Sequence, residues 1–204
     1  MGLPIASQLM QKIFGGVLMF KQFFPGTIAV LVLVSAPLMA KDAPAPAPAA
    51  TPPELAQLAV FESTLNCAGK AFASPMAPEH ATTGTVHGIR TVGGMWINLN
   101  YDEKKTAANP APYHIGVYMG FDAGKKTFVQ GCVDSFGGYC TESSTGWNGD
   151  TLVFEGTSNS GGQQFGSRDT FVKKSANELV HTGEMQGADK QWVKTDEETC
   201  HKNK

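Results

Sequence analysis

Short runs in which apolar and polar residues alternate extend from about residue 62 to the C-terminus, and turn residues separate them at regular spacing. The period is close to two, which is the period of a β-strand with one buried face. No stretch in this region has the length and period of a helix that connects parallel strands. The chain is therefore predicted to fold as an all-β barrel or sandwich.

Turn residues predict that consecutive strands form antiparallel hairpins. Gly93-Gly94 is a two-residue turn, in which positive backbone angles suit glycine. Residues 122–125 and residues 148–150 separate further pairs of runs in the same way. The predicted strands lie within residues 61–72, 85–92, 95–101, 113–121, 126–134, 141–147, 151–156, 167–174, 178–185 and 191–200.

About ten strands of this length favour a closed barrel. Consecutive hairpins indicate an up-and-down order, and closure removes the two exposed edges that an open sheet would leave. A ring of this strand number is wide enough to leave a cavity, and an interior filled by large side chains is the alternative. A short amphipathic segment at residues 53–63 predicts a short helix before the first strand.

The first forty residues have the features of a secretory signal. Lys12 and Lys21 precede the apolar run TIAVLVLVSAPLMA, no acidic residue occurs, and Ala40 is the expected cleavage point. Met19 begins a segment that alone has the length of a signal, so it is an alternative start. An uncleaved membrane anchor is disfavoured, because the apolar stretch is shorter than the ~20 residues that a spanning helix needs.

The mature chain is predicted to be a tethered single domain outside the cytoplasm. Residues 41–53 are rich in Ala and Pro, which is typical of an extended linker, and residues 54–204 are the predicted barrel. Two of the 16 basic residues and none of the 18 acidic ones lie in the leader, so the mature chain carries a net charge of about −4. This sign argues against nucleic acid as a partner. A periplasmic or secreted location without a transmembrane anchor is expected.

The four cysteines are predicted to form two disulfides. If residues 135–137 are a three-residue loop, Cys132 and Cys140 lie directly opposite each other, about 4.5 Å apart at Cα. Cys67 lies in the first strand and Cys200 in the last, and closure makes these strands neighbours. Sequence alone allows three connectivities. A zinc site or a redox-active cysteine pair is less consistent with the sequence. The spacing of Cys132 and Cys140 matches neither a zinc ligand pair nor the Cys-x-x-Cys motif.

No known catalytic motif is present, so no catalytic residue, metal site or cofactor is predicted. His114 and Tyr118 occupy the same strand face, and Arg168 is suited to an acidic group on a ligand. Each of these side chains also has an ordinary structural reading, as a half-buried histidine or a surface charge. The candidate ligand-binding residues are Trp96, His114, Tyr118, Phe154 and Arg168.

Glu142 and Glu155 face each other if Asn148-Gly149 is a two-residue turn. Inside the barrel, the two carboxylates would raise each other's proton affinity and form an acid-base site. On the outside they would be solvated charges, which is the commoner case. Both strand faces mix apolar and polar residues, so the alternation leaves open which face lines the interior. The turn at residues 122–125 is predicted to place Ile115 opposite Cys132.

Several motifs resemble a family of small exported bacterial proteins known only as a domain of unknown function. They are Gly120-Phe121-Asp122, Lys125-Lys126, Val133-Asp134-Ser135, Glu142 and Arg168, and the resemblance covers residues 54–202. It implies a lipocalin-like or fatty-acid-binding-like (calycin) barrel, related in shape to the haem-binding nitrobindins. The chain departs from the family pattern at Phe121, where tyrosine is usual, at Ser143, where glycine is usual, and in its central cysteines. The resemblance implies no catalytic residues.

The expected function is therefore that of an exported barrel that binds a small hydrophobic or amphipathic molecule. One alternative is a haem-handling protein or an enzyme that uses His114, Tyr118 or the Glu142-Glu155 pair. The other is an envelope interaction module with a packed interior.

Overall fold

The structure, a computed structural model, describes residues 50–74 and 78–203. The predicted leader and most of the predicted linker lie outside the described residues. Within the described ranges, no helix is both long and apolar enough to cross a bilayer. These ranges contain a 3₁₀ helix at Pro53–Phe61, here called the plug helix, and ten β-strands. The strands are β1 Thr64–Ala71, β2 His80–Thr91, β3 Trp96–Glu103, β4 His114–Asp122, β5 Thr127–Asp134, β6 Tyr139–Ser144, β7 Thr151–Ser160, β8 Gln163–Ser175, β9 Glu178–Gln186 and β10 Trp192–Lys202.

The ten strands form a closed antiparallel barrel, as predicted. Each strand pairs with its neighbour in sequence, and β10 returns to pair with β1. Cys67 lies opposite Cys200 at this closing pair. Closure leaves no exposed strand edge, so every strand has a hydrogen-bonding neighbour on both sides.

Both predicted disulfides are confirmed. Cys67 is bonded to Cys200, and Cys132 is bonded to Cys140 across the β5–β6 hairpin. All four cysteines are used, and none is free. The first bond therefore ties the two strands that close the barrel.

Apolar side chains fill one half of the interior. The strand residues of this core are Leu65, Ile97, Leu99, Met119, Phe128, Leu152, Phe154, Leu179 and the sulfurs of Cys67 and Cys200. The plug helix leads directly into the start of β1, so it lies at the end of the barrel that is nearest to this half. The opposite end, here called the far end, carries the β1–β2, β3–β4, β5–β6, β7–β8 and β9–β10 connections.

The plug helix closes its end of the barrel because its apolar residues recur every third position. Leu55, Leu58 and Phe61 fall on one face of a helix with three residues per turn, and each is at most 1% exposed. The Phe61 ring packs edge-on against Phe171, with 5.0 Å between centroids. The indole Nε1 of Trp147 donates a hydrogen bond of 2.9 Å to the backbone oxygen of Gln57.

The β4–β5 register differs from the prediction by two residues. Val117, not Ile115, lies opposite Cys132. The hairpin closes at Asp122 and Thr127, so its loop lies one residue later than predicted, and Lys126 adopts a positive φ of 56°. A shift of two residues leaves every side chain on its expected face.

The β2–β3 connection is longer than predicted. Thr91 pairs with Trp96, so four residues connect the strands rather than Gly93-Gly94 alone. Both glycines have positive φ, at 65° and 86°, and Val92 shares this conformation at 49°. The hairpin is thus present, but the two-residue turn is wrong.

The predicted β6–β7 register differs from the observed one by one residue, and this difference changes the candidate site. The tight turn joins Asn148 to Thr151, one residue later than predicted. Four residues lie between Ser143 and Asn148 on the β6 side of the hairpin, and only three lie between Thr151 and Glu155 on the β7 side. This extra residue places Glu142 opposite Gly156, not Glu155. A slip of one residue reverses the face of a strand, so Glu142 points inward and Glu155 points outward. The predicted pairing of these two carboxylates is wrong.

Candidate functional site

The structure separates the five residues that the sequence suggested for ligand binding. Phe154 faces the interior and is fully buried in the core. Trp96, His114, Tyr118 and Arg168 occupy outward positions of their strands, because their neighbours in sequence face inward. The five side chains do not meet at one site. Their contact with a ligand stays a prediction.

Two of these outward residues have partners on the outer wall. The His114 Nδ1 atom lies 2.9 Å from the Oδ1 atom of Asp102. The Arg168 guanidinium donates to Glu184 at 2.7 Å and lies 4.3 Å from the ring centroid of Trp192. These contacts give both residues a role in the wall itself.

The interior beyond the apolar core is polar and predominantly acidic. The registers of the described strands place no Lys or Arg at its inward positions between the core and the far end. The inward-facing ionisable residues of this part are Glu103, Asp134, Glu142, Asp169, Asp196, Glu198, His80 and His181.

The sequence contains a signal for this face that hydropathy alone does not provide. Each disulfide joins directly opposed cysteines, and three of the four cysteines are buried at 4 to 5% exposure. Stepping by two residues from Cys140 reaches Glu142, and stepping back by two from Cys132 reaches Gln130. The same step from Cys200 reaches Glu198 and then Asp196. Buried disulfides thus identify the inner face even where that face is polar.

His181 lies between two carboxylates in the middle of the barrel. Its Nε2 atom is 3.1 Å from the Oδ1 atom of Asp169, and its Nδ1 atom is 3.1 Å from the Oδ2 atom of Asp196. Burial would lower the pKa of His181, but the two carboxylates outweigh burial and raise it well above the usual value. The imidazolium in turn lowers the pKa of Asp196, against the opposing effect of its own burial. The histidine is therefore charged and donates from both nitrogens.

Gln130 connects this group to Glu142. Its Nε2 atom donates to the Oε2 atom of Glu142 at 2.7 Å and to the Oδ2 atom of Asp169 at 2.6 Å. Ser167 donates to the other oxygen of Glu142. Burial and the nearby charge of Asp169 raise the pKa of Glu142 to about 8, although both donated hydrogen bonds oppose this shift. We call Gln130, Glu142, Asp169, His181 and Asp196 the inner polar cluster.

Two buried side-chain oxygens on the inner face, one of them in this cluster, have no hydrogen-bond partner among the described residues. They are Oε1 of Gln130 and Oγ1 of Thr82, in residues that are 2% and 6% exposed. In the orientation that the structure shows, the Gln130 amide nitrogen faces the carboxyl groups of Glu142 and Asp169, and this leaves its oxygen without a partner. A buried polar atom without a partner costs about 1–3 kcal/mol, so these atoms are suited to a partner that enters from solvent.

Part of the cluster faces open space within the barrel. The side chains of Asp169, His181 and Asp196 face inward, yet they are 30%, 23% and 32% exposed. Phe154, in register with Asp169 on the neighbouring strand, has no exposed surface. The interior therefore combines a fully buried apolar floor with polar side chains that keep accessible surface.

At the far end, Glu103 fixes the connection between β3 and β4. Its carboxylate accepts hydrogen bonds from Asn109 Nδ2 at 2.8 Å and from the backbone nitrogen of Tyr113 at 2.8 Å. The Nε2 atom of His80 lies 3.2 Å from the same carboxylate. These contacts fix the strand connection, so we assign Glu103 and His80 to the scaffold of the far end.

Two grooves lie elsewhere on the molecule. One of about 610 Å³ lies beside the plug helix and is lined in part by Phe121, Phe128 and Lys126. The other, of about 300 Å³, lies along β3, β4 and β5 and includes Asp102 and His114. Neither groove is lined by a residue of the inner polar cluster.

The protonation of Glu142 gives a first testable prediction. Because its pKa is raised in the folded protein, the folded chain retains a proton that the unfolded chain loses above its ordinary pKa of 4.5. The free energy of unfolding should therefore decrease between pH 5 and pH 6.5, by up to about 1.4 kcal/mol per pH unit. Urea unfolding of the wild type and of Glu142→Gln across this range measures the effect, and the variant should lose most of the slope.

The choice of pH range separates Glu142 from its neighbours. In the lower part of this range His181 is protonated in both the folded and the unfolded chain, so it adds little slope there. Towards pH 6.5 the unfolded chain begins to lose this proton, which adds a slope of the same sign that Glu142→Gln should retain. Asp196 has a lowered pKa, so its stabilisation is lost only at more acidic pH. Glu155→Gln on the outer face is the matched control and should keep the wild-type slope. An unchanged slope in Glu142→Gln would contradict the assignment.

Comparison with known proteins supports the fold and identifies the family. A crystal structure of Rv2717c from M. tuberculosis is similar, with a TM-score of 0.57 and 12% sequence identity, over 76% of this chain and 100% of that one. At this identity the likeness shows the fold alone. No curated protein matches the chain in sequence. Residues 54–202 match the family described as "Protein of unknown function (DUF1579)", and the chain therefore belongs to that family.

Proposed function

We propose that the protein is a binding module whose barrel takes up a small amphipathic molecule through the far end. The observation that carries this proposal is that Asp169, His181 and Asp196 face inward and retain accessible surface. An apolar part of the ligand would rest on the floor around Phe154, and its polar part would meet the inner polar cluster. Pockets of this kind combine apolar walls with a few convergent polar groups.

An oxidising compartment is part of the same proposal. The two disulfides support a location outside the cytoplasm, since such bonds persist where thiols are not kept reduced. The predicted leader at residues 1–40 adds to this view, and we propose export to the periplasm or the exterior. The calycin-like ligand-binding role implied by the family resemblance fits the same reading.

A panel of linear compounds tests the proposal directly. We suggest alkyl chains of two to eight carbons that carry an ammonium, hydroxyl or carboxylate group. Binding inside the barrel should shift the backbone amide NMR signals of Gly156 and Gly183, which occupy inward positions. The signals of the outward Gly131 and Thr157 serve as references. If no member of the panel shifts the inward signals, the proposal is wrong.

Adjacent residues of β7 offer a matched pair of variants. Ser158 points inward near the far end, whereas Thr157 points outward and is exposed. In a hollow barrel, Ser158→Phe should fold with a loss of no more than about 1 kcal/mol, the value of its hydrogen bond to Ser167. It should also weaken binding of the panel by at least about tenfold, because the ring occupies the space that a ligand needs.

Thr157→Phe should bind like the wild type. If the interior were filled instead, Ser158→Phe would be overpacked and would lose roughly 1–3 kcal/mol or more. A large loss of stability in Ser158→Phe, with Thr157→Phe unaffected, would count for the packed-interior alternative. Urea unfolding and the NMR titration together therefore distinguish a hollow barrel from a solid one.

A further inference from the structure

The acidic interior lacks a balancing cation. Glu142, Asp169, Asp196 and Glu198 all face it, and His181 is the one cationic side chain among them. Four carboxyl groups face one imidazolium, so the interior carries an excess of negative charge that increases when Glu142 ionises. Such charges are costly unless they are paired or protonated.

The hydroxyl of Tyr101 relieves part of this excess, since it donates a hydrogen bond of 2.7 Å to the Oε1 atom of Glu198. Burial raises the pKa of Tyr101, so the phenol stays a neutral donor and does not cancel the charge. Glu142 responds to the excess negative charge, because burial and the charge of Asp169 raise its pKa and favour its protonated form. A cation from solvent would relieve the same imbalance.

A second observation is independent of charge. The Oε1 atom of Gln130 is an acceptor without a partner, in a side chain that is only 2% exposed. Its amide nitrogen is held by Glu142 and Asp169, so the orphaned oxygen lies beside the two carboxylates. Thr82 adds a second unpartnered oxygen, in register with Gly69, which pairs with Glu198. The Gln130 oxygen can only accept, so the site lacks a hydrogen-bond donor at this atom as well as positive charge.

An ammonium group supplies both, since it carries three N–H donors and a unit charge. A divalent metal ion fits the geometry less well. Among the described residues, the one set of three metal-ligating atoms within 4.8 Å of one another is that of Cys67, Glu198 and Cys200. Its two sulfurs are joined in a disulfide, and the carboxylates around Gln130 form no such set.

We propose that the ligand of this barrel carries an ammonium group, which forms ion pairs with Glu142 and Asp169 and donates a hydrogen bond to the Oε1 atom of Gln130. This inference rests on the proposed function and specifies its substrate class as small amphipathic amines. The apolar part of the amine would lie against the floor at Phe154. The barrel would then discriminate by head group, because an alcohol leaves the charge unpaired and a carboxylate adds to it.

Binding of an ammonium group should be coupled to release of a proton. Glu142 must be ionised to form the ion pair, and its pKa of about 8 in the free protein means that it is mostly protonated at pH 6. The affinity for an alkylammonium ion should therefore increase from pH 6 to pH 8.5, by up to roughly tenfold for each pH unit below the pKa.

Several groups from neighbouring strands surround Glu142. Those that face it directly are Gln130 of β5, Gly156 of β7, and Ser167 and Asp169 of β8. Behind them lie His181 of β9 and, on β10, Asp196 and Glu198.

The test is the NMR titration with the alkyl panel, carried out at pH 6 and pH 8.5. We expect alkylammonium ions to bind at least about tenfold more tightly than the matched alcohols at pH 8.5, and carboxylates to bind most weakly. Glu142→Gln should remove most of this preference and most of its pH dependence. Asp169→Asn is the second variant, and it should weaken ammonium binding without a comparable effect on the alcohols.

Glu155→Gln removes a carboxylate of the same strand layer from the outer face, and it should behave like the wild type. Alcohols or carboxylates that shift the inward amides as strongly as the ammonium ions would overturn the inference and leave the proposed function intact. A panel in which nothing shifts those amides would overturn both. An ammonium preference that survives unchanged in Glu142→Gln and Asp169→Asn would place the cation elsewhere and would also overturn the inference. Thermal unfolding of each variant confirms that the barrel is folded.

Discussion

A variant in which Cys67 and Cys200 are both replaced by alanine is expected to lose about 5 kcal/mol of unfolding free energy, because this disulfide closes a loop that spans 133 residues of separation. The Cys132-Cys140 bond spans a separation of only 8, so its removal should cost about 2.5 kcal/mol. The difference arises from the unfolded chain, which the long loop restricts more strongly than the short one. The long bond also ties β1 to β10, where the barrel closes.

Urea unfolding of the two double-alanine variants, with the reduced wild type as a third sample, measures these losses. The Cys132→Ala/Cys140→Ala variant is the matched control, since it also removes two inward-facing sulfurs. Equal losses in the two variants would show that chain restriction is not the main contribution. A larger loss from the short bond would contradict the account altogether.

Phe61→Ala is expected to destabilise the protein by about 3–5 kcal/mol, the usual cost of emptying the space of a buried phenylalanine. Phe61 is 1% exposed and lies at the centre of an aromatic group, 5.0 Å from Phe171 and 6.4 Å from Trp147 between ring centroids. Its loss leaves a cavity at the plugged end, which the closed barrel cannot collapse to fill. The plug helix should also detach more readily from the core.

Gln57→Ala, on the exposed face of the same helix, is the control and should change the free energy of unfolding by less than about 0.5 kcal/mol. Denaturant unfolding gives the stability of both variants. Hydrogen exchange at Leu55 and Leu58 reports whether the helix opens locally. A loss of less than about 1 kcal/mol in Phe61→Ala would mean that the helix does not support the barrel.

The fold was accessible from sequence because its determinants are local. Alternation defines strands, glycine-rich turns define hairpins, and Cys67 with Cys200 indicates which strands close the ring. The register of each hairpin was less accessible, because it depends on the loop conformation. In the β6–β7 hairpin, one extra residue between Ser143 and Asn148 separates the faces of Glu142 and Glu155, and alternation gives no sign of it.

The site was largely inaccessible because the two faces of the sheet do not differ in mean polarity. Asp169 and Asp196 face inward, whereas Tyr118, Val133 and Tyr139 face outward and are 45%, 62% and 54% exposed. A pattern rule that places apolar residues inside therefore assigns several strands incorrectly. Trp96, His114, Tyr118 and Arg168 were predicted as ligand contacts from their aromatic or basic side chains. The structure places all four on the outer wall. The inner polar cluster depends on contacts between β5, β6, β8, β9 and β10, which only the closed topology brings together.

The position of His181 between two carboxylates disfavours its coordination of haem iron. Both ring nitrogens lie 3.1 Å from carboxylate oxygens, so a nitrogen that bound iron would lose its carboxylate partner. The other inward histidine, His80, is also held on both sides, by Glu103 and by the backbone oxygen of Pro78. Iron coordination inside this barrel would require one of these imidazoles to give up its bonding partners, so the interior is organised for hydrogen bonding and charge rather than for ligating a porphyrin.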